Sequence, residues 1–283
     1  MNMKKKIIYL AAAALCVATA AAVSIPQSPV VTYGLVRDEL GSPLTAASAA
    51  EMKLVKDAEP NGTVYARTVV GATANPSMNY SLSLEIDSEG PTRSYAVVQG
   101  TPMRVTCTID GVAQTLSPSP VFETPVNGTA QRIDFAIGED ADGDGLPDAW
   151  ERWMLQMDGR PYDAAAIAAL NPSADSDGDG MTNYSEFLAG TDPFLSTDLL
   201  AITSFKKVNE SGRYEIKFTT VPDRTYRLVT TATLSSPTWT PCATTKNIGG
   251  TTAYDTYKGN GRVITIYVDA PGGDSAFFRI AAN

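Results

Sequence analysis

The chain has 283 residues, of which 43% are hydrophobic, and its 31 acidic side chains outnumber the 22 basic ones for a formal net charge of −9. It contains no histidine, which excludes Ser-His-Asp and Cys-His catalysis and most zinc and iron sites. This length and composition suit a globular protein of two or three domains, and the acidic balance argues against nucleic acid as a partner.

Residues 1–22 are predicted to be a secretory signal peptide. Three lysines precede an alanine-rich apolar run from Ile7 to Ala22, and small residues offer cleavage after Ala20 or Ala22. An uncleaved membrane anchor is the alternative, but the run is short and only weakly apolar. We therefore expect a secreted or cell-surface bacterial protein that has no transmembrane segment after signal cleavage.

Residues 28–138 contain short apolar runs separated by turns, which predicts an N-terminal antiparallel β-sandwich. Two runs alternate strictly between apolar and polar residues, from Tyr80 to Ile86 and from Met103 to Ile109. The predicted strands are Val30–Val36, Met52–Val55, Val64–Val70, Tyr80–Ile86, Tyr95–Val98, Met103–Ile109 and Ile133–Ile137. The segment from Gly34 to Leu44 reads G-L-V-R-D-E-L-G-S-P-L and resembles the start of carboxypeptidase-regulatory-like, transthyretin-type β-sandwiches. That resemblance implies a structural domain without peptidase activity.

Residues 139–196 form a segment of a different character. Residues 139–192 carry 13 acidic and 2 basic side chains, a net charge of −11, and so many like charges repel one another unless cations are bound. Two stretches, starting at Asp140 and Asp175, match the twelve-residue loop that binds Ca²⁺ with six to eight oxygens. A solvated acidic linker is the alternative, but it would not place glycine at position 6 and glutamate at position 12 twice.

Each predicted ligand has a physical reason for its position. Aspartates at positions 1, 3 and 5 converge as the backbone curls, and Gly145 and Gly180 allow the sharp turn at position 6. Position 7 supplies its backbone carbonyl, position 9 often acts through water, and the glutamate at position 12 binds with both oxygens. The predicted ligands of two Ca²⁺ ions are Asp140, Asp142, Asp144, Leu146, Asp148 and Glu151 in loop one, and Asp175, Asp177, Asp179, Met181, Asn183 and Glu186 in loop two.

Helical patterns accompany both loops. The spacing of Trp150, Trp153, Met154 and Met157 predicts an amphipathic helix after loop one, and Gly190 is expected to end the helix after loop two. Asp163 is expected to cap a short helix from Ala164 to Leu170. With its closing Gly-Thr-Asp-Pro, the segment resembles the thrombospondin type 3-like calcium repeats of bacterial extracellular proteins, which implies the ligands named above. One departure is Pro147 at position 8, which has no N–H to pair the two loops through the backbone.

Residues 197–283 form a second β region, similar to the small β-sandwich modules that end many secreted bacterial proteins. The predicted fold is therefore mainly β, with two Ig- or transthyretin-like sandwiches joined by a small α-helical calcium-binding segment. The two cysteines outside the signal peptide, Cys107 and Cys242, lie far apart, so we expect free thiols rather than a disulfide framework.

The expected function is a calcium-binding structural or adhesion protein, with no enzymatic activity, in which Ca²⁺ stiffens the link between the β regions. Its candidate partners are a protein or a glycan at the cell surface. One alternative is a dockerin-like module, although dockerin repeats lie closer together than the two loops here. Another is carbohydrate binding through aromatics of the C-terminal sandwich, with Tyr226, Trp239, Tyr254, Tyr257 and Tyr267 as candidates, although such residues are more often core or scattered surface aromatics. A glycosidase would need a further carboxylate pair, and the clustered acids already belong to the loops.

Overall fold

A computed structural model describes residues 26–72, 75, 77–88, 93–208, 212–269 and 276–282. The predicted signal peptide lies outside these residues. The described chain is mainly β, with three short α-helices between two β-rich regions. No helix among the described residues combines the length and the apolar character needed to cross a membrane.

In the described part of the N-terminal region, twelve strands form three sheets. The sheet orders are β11-β1-β5-β6, β10-β7-β3-β4 with β8 beside β7, and β2-β12-β9. The strands are β1 Val30–Gly34, β2 Val36–Arg37, β3 Ala50–Lys56, β4 Ala66–Val69, β5 Tyr80–Asp87, β6 Ala96–Val98, β7 Pro102–Ile109, β8 Val112–Gln114, β9 Leu116–Ser117, β10 Val121–Glu123, β11 Ala130–Arg132 and β12 Phe135–Ile137. A 3₁₀ turn covers Ala46–Ser48.

The alternation read from the sequence decides which face of each strand is buried. In β5 the apolar residues from Tyr80 to Ile86 are at most 1% exposed, whereas Ser83 between them is exposed. In β7, Met103, Val105 and Cys107 are likewise buried. They belong to one hydrophobic cluster to which strands of all three N-terminal sheets contribute. Burying a complete apolar face in this way is the main favourable contribution to the stability of such a sheet.

Three helices lie between the β regions: α1 Asp148–Met157, α2 Ala164–Ile167 and α3 Asn183–Ala189. The Asp163 side chain caps α2 by accepting a hydrogen bond from the Ala166 N–H at 2.9 Å, as predicted, but the helix stops at Ile167 rather than Leu170. The prediction of an apolar face along α1 is wrong for the last turn of the helix. Met157 is 60% exposed in the last turn, and Leu155 occupies the core instead.

Among its described residues, the C-terminal region has seven strands in two sheets, with orders β13-β14-β18 and β16-β15-β17, where β19 also pairs with β15. The strands are β13 Ile202–Lys207, β14 Arg213–Thr219, β15 Thr225–Thr231, β16 Thr240–Pro241, β17 Tyr257–Lys258, β18 Val263–Asp269 and β19 Phe277–Ala282. A second hydrophobic cluster, from Ile216 to Ile280, is their core. Cys107 and Cys242 are both free thiols, as expected.

Candidate metal centre

Each acidic loop brings three carboxylates together. Oxygens of Asp140, Asp142 and Asp144 lie within 4.8 Å of one another in loop one, which is defined here as residues 140–151. Asp175, Asp177 and Asp179 form the same triad in loop two, residues 175–186. Negative charges at this separation repel strongly wherever water is partly excluded, so each triad suits a cation at its centre.

Hydrogen bonds from backbone N–H groups to the first aspartate of each loop give both loops the same conformation. In loop one the Asp140 carboxylate accepts from the N–H groups of Gly143 at 2.8 Å and Gly145 at 3.1 Å. In loop two Asp175 accepts from Gly178 at 2.7 Å and from Gly180 at 2.8 Å. All four glycines have positive φ, with nearly equal values of +97° at Gly145 and +96° at Gly180. Position 6 therefore needs the left-handed conformation that glycine adopts without strain.

The two glutamates at position 12 are the most deeply buried charged groups of the site. Glu151 and Glu186 are both 0% exposed. Both oxygens of Glu151 and one oxygen of Glu186 are buried without a hydrogen-bond partner, as is one oxygen each of Asp144, Asp177 and Asp179. Leaving ionised acceptors unpaired in the interior is costly. These orphaned oxygens fit a hard, oxygen-seeking cation such as Ca²⁺, which would replace the missing partners.

Burial and like charge act together on the same glutamates. Desolvation, and then the charges of Asp144 and Asp142, raise the pKa of Glu151 to about 8. Desolvation followed by Asp177 and Asp179 raises the pKa of Glu186 to about 8 as well. Without a cation, both glutamates therefore hold a proton at neutral pH, and a bound cation would displace it.

The residues at positions 7 and 9 have further structural tasks. Leu146 is 0% exposed, and the Met181 sulfur accepts a hydrogen bond from the Leu200 N–H at 3.1 Å. At position 9, Asp148 accepts from the Ala141 N–H at 2.8 Å, and the Asn183 carbonyl oxygen accepts from the Ser176 hydroxyl at 2.8 Å. The side chains at position 9 thus close the loops, and their water-mediated contact to a cation stays a prediction.

The two loop-and-helix units share one small core. Trp150 of α1 packs edge-on against Phe187 of α3, with ring centroids 5.8 Å apart, and both rings belong to the cluster that contains Leu146. Pro147, which cannot pair the loops through its backbone, is the N-cap residue of α1. Thr182, at the same position of loop two, caps α3 through its side chain, which accepts from Ser185 N–H. The residue at position 8 is therefore the N-cap of a helix in both units.

Two hydroxyl groups outside the loops contact predicted ligands. The Ser117 hydroxyl in β9 donates to Asp140 at 2.5 Å, and the Thr191 hydroxyl donates to Glu186 at 3.4 Å. Thr191 belongs to the Gly-Thr-Asp-Pro motif that closes the repeat, so the sequence already pointed to this residue. Ser117 lies 23 residues before Asp140, and no pattern in the sequence connects the two.

The aromatic residues considered for carbohydrate binding do not form an exposed platform. Tyr226 and Tyr257 are 1% and 4% exposed and belong to the C-terminal core. Lys246 lies 4.4 Å from the centre of the Tyr254 ring, Arg279 lies 4.7 Å from the Trp239 ring, and the Tyr267 hydroxyl donates to Glu215. These contacts occupy the groups that a sugar would have to reach.

Comparison with known proteins identifies the class of repeat. A family model described as the bacterial TSP3 repeat matches residues 140–152 and 175–196, which include both aspartate triads. This match suggests a calcium-binding, structural role in an extracellular protein. No curated protein and no solved structure matches the chain.

Proposed function

We propose that this chain is a secreted or cell-surface structural protein, without enzymatic activity, in which two Ca²⁺ ions stiffen the segment between two β domains. The observation that carries the proposal is the set of buried carboxylate oxygens without partners, headed by Glu151 and Glu186. Such oxygens destabilise the fold until a cation binds them, so the energy of binding becomes energy of folding. Extracellular modules of this kind bind Ca²⁺ with a Kd of roughly 10⁻⁴ to 10⁻³ M.

Contacts on either side support a role as a link. Loop one is attached to the N-terminal region through the bond from Ser117 to Asp140 and through Ala136, which belongs to the core of the calcium segment. The end of α3 is attached to the C-terminal region, where the Tyr226 hydroxyl donates to the Ala189 carbonyl at 3.1 Å. Loop one and the helix that follows loop two are therefore bonded to different β regions, so ordering both loops would restrict both regions.

The side chain of Arg224 joins all three parts of the chain. It is 6% exposed and donates to the Leu40 carbonyl of the N-terminal region at 2.9 Å. Its guanidinium lies so close to Gly41 and Gly190 that a Cβ added at either glycine would be 2.6 Å from a nitrogen. Since Gly190 ends α3 only four residues after Glu186, displacement of that glutamate would be transmitted to this junction.

The packing supports a clamp rather than a sensor. A sensor opens to expose an apolar groove, whereas the apolar side chains here, including Trp150 and Phe187, form a single small core shared by both units. We further propose that both β regions are sandwiches, the N-terminal one of the transthyretin type, and that the protein serves adhesion to a protein or glycan partner.

Calorimetric titration with calcium tests the proposal. The wild-type protein should bind two ions, Glu151→Gln and Glu186→Gln one each, and the double variant none. Glu123→Gln is the matched control, because Glu123 is exposed on β10 and is not a predicted ligand. Small-angle scattering should show a narrower range of shapes with calcium than with chelator. Two ions retained in the double variant would disprove the ligand assignment, and identical scattering curves would disprove the stiffening.

A further inference from the structure

A cleft of about 510 Å³ lies beside loop two. Loop two and α3 form one wall, with Asp179 and Leu188, and strands β15 and β19 form the other, with Arg227, Arg279 and Ile280. The cleft is thus apolar along its sides, with a calcium-loop carboxylate at one edge and two guanidinium groups on the sheet. Arg279 lies over the Trp239 ring, 4.7 Å from its centre, which leaves the edge of its guanidinium for hydrogen bonds. Neither the calcium site nor the hydrophobic cores account for Arg227.

The two arginines lie on the same face of neighbouring strands. Arg227 pairs with Ala281, and Val229 pairs with Arg279, in the antiparallel register of β15 and β19. Residues directly opposite in such a pair share a face, so Arg227 and Arg279 are diagonal neighbours, a separation that long side chains bridge easily. Neither forms an ion pair with any acidic group of the described residues, although the chain as a whole is acidic.

Arg227 lacks a polar partner even though part of it is buried. Its Nε atom is inaccessible to solvent and has no hydrogen-bond partner in the described part of the chain. Burial lowers the pKa of its guanidinium, and the charge of Asp134 opposes this only in part. Asp134 itself accepts from the Leu35 N–H at 2.9 Å and from Arg132 at 3.0 Å. An anion in the cleft would give the Nε donor of Arg227 an acceptor.

More positive charge lies at the same end of the cleft. Arg37 is 3% exposed, and two of its nitrogens are buried without partners. Burial raises the pKa of the Tyr184 hydroxyl, and the nearby charge of Arg37 opposes this shift in part. Tyr184 in turn lines the cleft, so Arg37 adds positive charge behind this wall without lining it.

We propose that this cleft binds an organic carboxylate, with the carboxylate held by Arg227 and Arg279 and an apolar portion against Leu188 and the exposed Leu199. The planar guanidinium matches a carboxylate through two parallel hydrogen bonds. The cleft is far larger than an inorganic anion needs, and its apolar sides favour a ligand that also has hydrocarbon surface.

Calcium should assist this binding, and this part of the inference rests on the proposed function. Asp179 lines the cleft and belongs to the triad of loop two. Without a cation, the negative triad repels an incoming carboxylate, whereas a bound Ca²⁺ neutralises it. Calcium stoichiometry is measured separately, so failure of loop two to bind calcium is distinguishable from failure of the cleft to bind a carboxylate.

Chemical-shift titration of the full-length, calcium-saturated protein with hexanoate tests the site, with hexanamide and inorganic phosphate as comparison probes. Hexanoate should bind saturably at one site and shift resonances of Arg227, Arg279 and Leu188. Arg227→Gln and Arg279→Gln should each weaken binding about tenfold, as expected for one lost charge-assisted hydrogen bond. Arg262→Gln is the matched control, because Arg262 is exposed and lies outside the cleft. It should bind like the wild type.

Three outcomes would overturn the proposal: no saturable binding of hexanoate at millimolar concentration, equal binding of hexanamide, or wild-type affinity in Arg279→Gln. Equal affinity for phosphate would overturn the assignment to a carboxylate. If Arg227→Gln lowers the melting temperature too far for titration, Arg279→Gln and the location of the shifted resonances still decide the question. Removal of calcium should weaken binding of hexanoate, and an unchanged affinity in chelator would overturn the proposed assistance by loop two.

Discussion

Calcium binding should release protons at neutral pH. In the experiment, chelator-treated protein is saturated with Ca²⁺ at several pH values. Because burial and neighbouring aspartates raise the pKa of Glu151 and of Glu186 to about 8, each is about nine-tenths protonated at pH 7 in the cation-free protein. Binding to both loops should therefore release roughly one to two protons per chain at pH 7 and far fewer at pH 9.

The raised pKa of the two glutamates also fixes the direction in which the calcium affinity changes with pH. Calcium requires the ionised glutamate, so each loop should lose affinity about tenfold for each unit by which the pH falls below 8, and become insensitive to pH above it. Calorimetry in buffers of different ionisation enthalpy measures the protons released. Glu151→Gln should halve the release at pH 7. Calcium binding without proton release at pH 7 would show that the glutamates are ionised beforehand, which would refute the reasoning from burial.

Three further predictions concern stability. In chelator, the melting temperature should fall as the pH rises from 5 to 8. The reason is that the folded chain binds more protons in this range than the unfolded chain, whose glutamates titrate near 4.5. Saturating calcium should abolish this dependence on pH. Gly180→Ala should lower the free energy of unfolding by about 1–2 kcal/mol through the left-handed backbone alone, since nothing lies within 4 Å of the added Cβ. Chemical denaturation measures it, with Gly249→Ala as an unstrained control; equal losses would contradict the argument. Tyr226→Phe removes the bonds to Ala189 and from Val221 and should cost about 1–3 kcal/mol, and an unchanged denaturation midpoint would count against the contact.

The calcium loops could be read from the sequence because their geometry is local. Twelve consecutive residues provide the aspartates, the glycine and the glutamate, and the left-handed backbone at Gly145 and Gly180 follows from that pattern. The alternation in β5 and β7 is local in the same sense, because successive side chains of a strand point to opposite faces. The ends of helices were also readable where one residue decides them, as with Asp163 and Gly190.

Contacts between distant segments were not readable. Met157 continues the helical period of Trp150 and Met154 but is exposed, because the core that α1 covers ends before the last turn. The strands from β8 to β11 are two or three residues long, too short for a period to appear in the sequence. Their positions depend on the longer strands beside them.

The positions of the two aspartate triads and the buried faces of β5 and β7 follow from the order of residues, because both depend on spacing along a short stretch of chain. The contact of Ser117 with Asp140, the junction at Arg224 and the common cleft of Arg227 and Arg279 arise only when the chain folds. These contacts link segments up to 184 residues apart. Their geometry depends on how complete sheets and helices pack, which no local pattern encodes.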